Sequence, residues 1–159
     1  MLRIYIETTV WSFALADDVP DFTADTLLFF DECRAGRVKP VISPVVLEEI
    51  GRSSEPLRTR LLGLIREIAP AVAPSVPAIE ELAQAFLSLG VVPPSKPDDA
   101  AHVAAAFVAK CDALVSWNFK HITNLRRADR FNAVAVLRGY SSPLRIVTPS
   151  EVLYADDET

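Results

Sequence analysis

The sequence predicts an α/β protein, a three-layer α/β/α sandwich built on a central, mostly parallel sheet. Two observations carry that expectation. Short apolar runs at Leu2–Ile6, Pro40–Ser43, Ala113–Ser116 and Arg145–Val147 are separated by longer segments whose apolar residues recur at helical spacing. The resulting order, strand, helix, strand, four helices, strand, helix, strand, is that of a parallel sheet with helices on both faces. At 159 residues the chain is long enough for one domain with a proper core and too short for two. The domain is expected over 1–154, with a frayed tail over 155–159.

The elements follow in order. Leu2–Ile6 is apolar almost throughout, as a central strand covered on both faces should be. After a loop containing Asp17, Asp18 and Pro20, the segment Phe22–Ala35 places Leu27, Leu28, Phe30 and Cys33 at helical spacing and stops at Gly36. Pro40–Ser43 reads as a second strand. Ser43 and Pro44 then form an N-cap and first turn for a helix carrying Val45, Val46, Leu47 and Ile50, up to Gly51. Pro56–Ile68 is amphipathic, with leucines and isoleucines on one side and arginines on the other. Three prolines make Ala69–Pro77 an extended connection. Ala78–Leu89 resumes helical periodicity and closes at Gly90, and Val91–Pro97 is a proline-rich loop. Asp98–Lys110 is rich in alanine, which suits a buried helix whose neighbours approach closely. Ala113–Ser116 is a strand ending in polar residues, a basic segment Lys120–Arg130 leads into a helix over Phe131–Leu137, and Arg145–Val147 is the last strand.

Composition narrows the class further. Hydrophobic residues make up 50% and charged residues 23%, which excludes a largely disordered chain. The formal net charge of −5 supplies no global attraction to nucleic acid or anionic membrane. A polyanionic substrate must therefore meet a local basic patch, or metal ions that invert the sign of an acidic pocket. Cys33 and Cys111 stand in no zinc-binding spacing and read as buried free thiols of a reducing compartment, with a disulfide between them left open. Glu7 interrupts the only candidate leader and no apolar stretch is long enough to span a bilayer, so a cytoplasmic protein without membrane contact is expected.

Four polar residues occupy the places where an α/β sheet gathers a site. Glu7 ends the first strand, Glu49 lies in the helix after the second, Asp99 opens the alanine-rich helix, and Asn118 follows the strand Ala113–Ser116. Ligands of open α/β sheets bind at the carboxyl ends of the strands, so these residues face one crevice. Magnesium takes one or two carboxylates directly and keeps water or phosphate oxygens for the rest, and three acids with an amide suit one or two such ions. The chemistry that follows is phosphodiester hydrolysis. Glu48 and Glu49 point about 100° apart on a helix, so only one faces the metal, and Glu49 is the choice. Asp98 is the expected N-cap and Asp99 the expected ligand. His102, one turn beyond Asp99, reads as a hydrogen-bonded core histidine; His121 reads equally as a phosphate contact or a structural residue. Trp11 and Trp117 are expected to pack around the site walls. Taken alone, Glu7 would serve as an acid at a helix start.

These positions and their flanks resemble the PIN domain family, and within it the VapC-like toxin ribonucleases of toxin-antitoxin pairs. The resemblance covers nearly the whole chain. It rests on Ile6-Glu7-Thr8-Thr9, on the run from Ser43 to Glu49, on Asp99-Ala100-Ala101-His102-Val103-Ala104-Ala105, and on Ser116-Trp117-Asn118. It implies a Mg²⁺- or Mn²⁺-dependent endoribonuclease in which Glu7 and Asp99 hold the metal. Glu49 would bind it through water or orient the attacking water, and Asn118 would hydrogen-bond a metal water or the phosphate. Thr9, Ser116, Lys120 and Arg126 are the expected substrate contacts, Lys120 and Arg126 belonging to a basic rim with Arg127 and Arg130. An RNA substrate, a small antitoxin occluding the crevice and a homodimer are implied as partners. Two positions depart from the family pattern. Glu7 and Asn118 stand where aspartates are usual, so one carboxylate reaches a methylene further and one negative charge is missing. Two other readings stay open: a PIN-like binding module that has lost catalysis, supported by Asn118, and a haloacid-dehalogenase-like phosphatase. The phosphatase needs an aspartate where this chain has Thr9.

Overall fold

Residues 1–153 are described by a computed structural model, so the tail expected over 155–159 lies outside the described residues. Leu2–Ile6 forms β1, the middle strand of a five-stranded sheet. Its neighbours are β2 (Val38–Ile42) and β4 (Ala113–Val115), and the edges are β3 (Ala71–Val72) and β5 (Arg145–Val147), giving the order β3-β2-β1-β4-β5. Every pairing is parallel, with Tyr5 opposite both Val41 and Leu114. Ile4, Tyr5 and Ile6 are all fully buried, which is why the strand shows no alternation of apolar and polar residues.

Helices cover the sheet and complete the three-layer sandwich. They are α1 (Thr8–Ala14), α2 (Pro20–Arg34), α3 (Pro44–Gly51), α4 (Leu57–Ile68), α5 (Pro77–Ser88), α6 (Pro97–Val108), α7 (Leu125–Leu137) and α8 (Pro149–Leu153). Helix α2 packs against α1, α4 and α8, whereas α5 packs against α6 and α7. The alanines of α6 behave as expected: Ala100, Ala104, Ala105 and Ala106 are all buried. Gly36 and Gly90 follow α2 and α5 at φ +75° and +69°, left-handed conformations that favour glycine. Cys33 and Cys111 are both free thiols, and burial pushes them up to about 12 and about 11.

Some elements differ from the sequence expectation, each for a local reason. Helix α1 is only seven residues and starts with two threonines, so no helical period is long enough to read; its first turn is held by the Glu7 side chain, which accepts from Thr9 N–H. Strand β3 lies within the extended connection between Pro70 and Pro74, where prolines are compatible with a sheet edge. Helix α7 begins six residues before the expected Phe131, because Asn124 Oδ1 accepts from Arg127 N–H and caps it. Arg126, Arg127 and Arg130 thus belong to a helix. Asp98 is not the N-cap of α6: Lys96 occupies that position without a side-chain bond, Pro97 follows it, and Asp98 instead pairs with Arg52 at 2.9 Å. Ser43 is the N-cap of α3 by position, yet its hydroxyl makes no cap bond.

No helix among the described residues is long and apolar enough to cross a membrane. The core joins both halves of the sheet, and Phe86 stands where three helices meet: it is fully buried, edge-on to Phe131 at 4.9 Å and within 6.3 Å of Phe107. Phe86→Ala should lower unfolding stability by about 3–5 kcal/mol, measured as the shift of the urea midpoint at constant slope.

Candidate functional site

The strand order reverses around β1, because β2 and then β3 lie on one side of it and the chain then crosses over to place β4 on the other. At such a switch point the carboxyl ends of neighbouring strands diverge and open a crevice. Glu7 follows β1, Ser43 follows β2, and Ser116 and Asn118 follow β4. Helix α3 brings Glu49 to the same end, and α6 brings Asp99 and His102 from adjacent positions on one face.

Glu7 is 2% exposed, and its carboxylate is held by three donors. Oε1 accepts from Thr9 Oγ1 at 2.6 Å and from Ser116 Oγ at 2.5 Å, and Oε2 accepts from Thr9 N–H at 3.1 Å. Burial pushes its pKa above the ordinary carboxylate value, against the opposing pull of His102, Ser116 and Thr9. Thr9 and Ser116 therefore have their hydroxyls turned onto Glu7. Each also accepts a backbone N–H from the loop after β4, Thr9 from Trp117 at 2.9 Å and Ser116 from Asn118 at 2.9 Å.

Glu49 is half-buried, whereas Glu48 is exposed. Glu49 Oε1 accepts from Thr8 Oγ1 at 2.7 Å and is bonded to His102 Nε2. Burial alone would raise the Glu49 carboxyl, but His102, Thr8 and Arg52 outweigh it and hold the pKa below the ordinary value. His102 is fully buried, and its Nδ1 lies 2.7 Å from Tyr5 Oη, which is 2.7 Å from Ser43 Oγ. The missing cap bond of α3 is explained: the Ser43 hydroxyl is engaged with Tyr5. Burial would lower the imidazole pKa, but its bond to Glu49 and the charges of Glu7, Glu49 and Asp99 raise it overall. Ligand atoms of Glu7, Glu49 and His102 lie within 4.8 Å of one another.

Asp99 is 9% exposed, and its Oδ2 is buried without a hydrogen-bond partner. Burial raises its pKa, with His102, His121 and Asn118 pulling the other way. Together with Glu49, Asn118, Lys96, Lys120 and His121 it lines a cavity of about 450 Å³. Asn118 Oδ1 accepts from His121 N–H at 3.0 Å and so shapes the loop after β4. His121 Nδ1 is buried without a partner. Arg126 is exposed on α7 and outside the residues lining that cavity, while Arg127 donates to the Lys120 and Val91 carbonyls and braces the loop. Trp11 is fully buried, and Trp117 stacks on Phe22 at 4.4 Å beside the site.

Of the expected residues, Glu49, Asp99, Asn118 and Lys120 share the cavity, and Glu7 joins Glu49 on its buried side. Sequence reasoning missed Thr8, Tyr5, Ser43 and Lys96. Tyr5 and Ser43 carried no signal, being a strand residue and an apparent cap. Thr8 was overshadowed by Thr9, and Lys96 sits in a loop read only as proline-rich. No known protein-family model matches the chain, and no curated protein does.

The raised Glu7 pKa has a consequence for the metal-free protein. A carboxyl that holds its proton more tightly when folded binds more protons in the native state, so stability falls as pH rises from the unfolded value through the folded one. Glu7→Gln removes that loss. The gap in melting temperature between Glu7→Gln and the unaltered protein should move in favour of Glu7→Gln between pH 4 and pH 8, as calorimetry would record; a constant gap would contradict the burial argument.

Proposed function

We propose that the chain is a metal-dependent endoribonuclease of the PIN type, the toxin of a toxin-antitoxin pair. The observation that carries this reading is Asp99 Oδ2. A buried carboxylate oxygen without a donor costs free energy unless a cation meets it, and this one lies in a cavity beside a second carboxylate. The donor set fits a divalent ion: Asp99, Glu49 and Glu7 supply oxygens, and Asn118 supplies an amide at the same opening. Bound there, a divalent ion polarises a phosphoryl oxygen and lowers the pKa of water.

The chain's own residues account for the rest. Glu49 Oε1 is engaged with Thr8 and His102, so its second oxygen is the one that orients the attacking water. That water forms the new bond to phosphorus as the bond to the leaving sugar oxygen breaks. Lys96 and Lys120 stand at the cavity and meet the flanking phosphates of an RNA strand, giving the local positive charge that the net charge of −5 withholds. Glu7, locked by Thr9 and Ser116, sets the inner wall. A small antitoxin that occludes the cavity and a homodimer follow from the resemblance alone, and a cytoplasmic setting from the free cysteines and the lack of a candidate leader or membrane span in the sequence. Asn118 favours a second reading, a catalytically weakened binding module, because a neutral amide there takes one charge from the metal site.

The test is cleavage of a mixed RNA pool by the purified protein with Mg²⁺, with Mn²⁺ and with EDTA. Metal-dependent cleavage is expected, abolished by EDTA and reduced at least about 100-fold by Asp99→Asn. Asp99→Asn should melt no lower than the unaltered protein, since it removes a carboxylate whose Oδ2 is buried without a donor. RNA binding without cleavage under either metal would favour the binding module, and phosphatase turnover in its place would sink the nuclease.

A further inference from the structure

Two imidazoles stand at this site: His121 lines the cavity, and His102 lies buried behind it. His102 Nε2 sits among the carboxylates of Glu7 and Glu49, all ligand atoms lying within 4.8 Å of one another. We propose that His102 Nε2 is a direct ligand of the bound ion, which makes the site prefer a first-row transition ion over Mg²⁺. The inference rests on the metal reading above and narrows it.

Three observations support it. The ring is fully buried and oriented from behind: Nδ1 is bonded to Tyr5 Oη and Tyr5 in turn to Ser43 Oγ, so the imidazole presents Nε2 to Glu49, to which it is bonded, with Thr8 Oγ1 at 3.4 Å and the Glu7 carboxylate close by. Metal-binding histidines are characteristically held in this way through the second ring nitrogen, which fixes the tautomer and the ring plane. The acids around Nε2 only accept when ionised, so in the metal-free protein a proton lies between Nε2 and Glu49, and a cation binding there takes that proton's place. Finally, Asp99 precedes His102 by three residues on α6, and its Oδ2, nine-tenths buried, has no partner; it lines the cavity that Glu49 shares. Glu49 therefore lies between a nitrogen on its buried side and an orphaned oxygen on its open side.

The chemical consequence follows from the donor type. Mg²⁺ holds oxygen ligands and retains its waters, whereas imidazole suits the first-row transition ions. A site of carboxylates alone would leave Mg²⁺ competitive; one imidazole in the set shifts the preference toward Mn²⁺, Fe²⁺ or Zn²⁺.

The experiment uses the full chain with ¹⁵N-labelled histidine and Mn²⁺ as the probe, read by electron spin-echo spectroscopy. The chain has two histidines, so the assignment is short. Bound Mn²⁺ is expected to show hyperfine coupling to one ¹⁵N nucleus, lost in His102→Gln, and an equal concentration of Mg²⁺ should not displace it. Tyr5→Phe removes the bond behind the ring and should keep the coupling while weakening Mn²⁺ about 10- to 100-fold; this variant carries the test if His102→Gln does not fold. Bound Mn²⁺ without nitrogen coupling would overturn the inference and leave the metal reading standing. Coupling that survives in His102→Gln, or displacement of Mn²⁺ by equal Mg²⁺, would also overturn it. Absence of any bound Mn²⁺ would overturn both the inference and the metal reading.

Discussion

The hydrogen bonds that hold the Glu7 carboxylate organise the carboxyl end of the sheet. A carboxylate buried at the end of the central strand is costly to desolvate, and its position is tenable because three donors reach it from two directions. Thr9 approaches from the first turn of α1 and Ser116 from the end of β4, so a single side chain ties together the exits of two adjacent parallel strands. The same two hydroxyls accept the N–H groups of Trp117 and Asn118 and set the path of the next loop. Trp117 is thereby delivered onto Phe22 of α2, and Asn118 to the mouth of the cavity.

Around that anchor the charges are divided unequally. Burial raises Glu7 and Asp99, whereas His102 keeps Glu49 below the ordinary value, so neighbouring carboxyls have their affinities for protons pushed apart. The imidazole is itself surrounded by acids and holds its proton above the ordinary value despite full burial. Such a cluster adds nothing to the folding of a metal-free chain that apolar residues would not supply better. Of its members, Glu49 and Asp99 line the cavity, while Glu7 and His102 stand buried behind them.

Much of the fold is legible in the chain because its longer elements repeat one physical pattern many times. The apolar faces of α4, α5 and α6 and the largely apolar run of β1 each reappear at the expected place. The short elements escaped because α1, β3 and α8 are too brief for a period to register. They are decided by contacts: a side-chain cap from Glu7, an edge pairing with β2, and packing of α8 on α2. The start of α7 was obscured in a different way, since a run of arginines reads as a solvated loop until Asn124 is seen to cap it.

For the site, residue order alone settles which acids stand at the ends of which elements: Glu7 after the first strand, Glu49 in the helix after the second, Asp99 at the head of the alanine-rich helix. Parallel topology then obliges those ends to meet, because successive strands return to the same edge of the sheet. Their partners come from packing. Tyr5 and His102 are 97 positions apart, and Thr8 and Glu49 are 41 apart; no local pattern records such pairs. Periodicity reports which face of an element is buried, but a hydrogen bond across the interior depends on the distances between elements, and those exist only once the layers have packed.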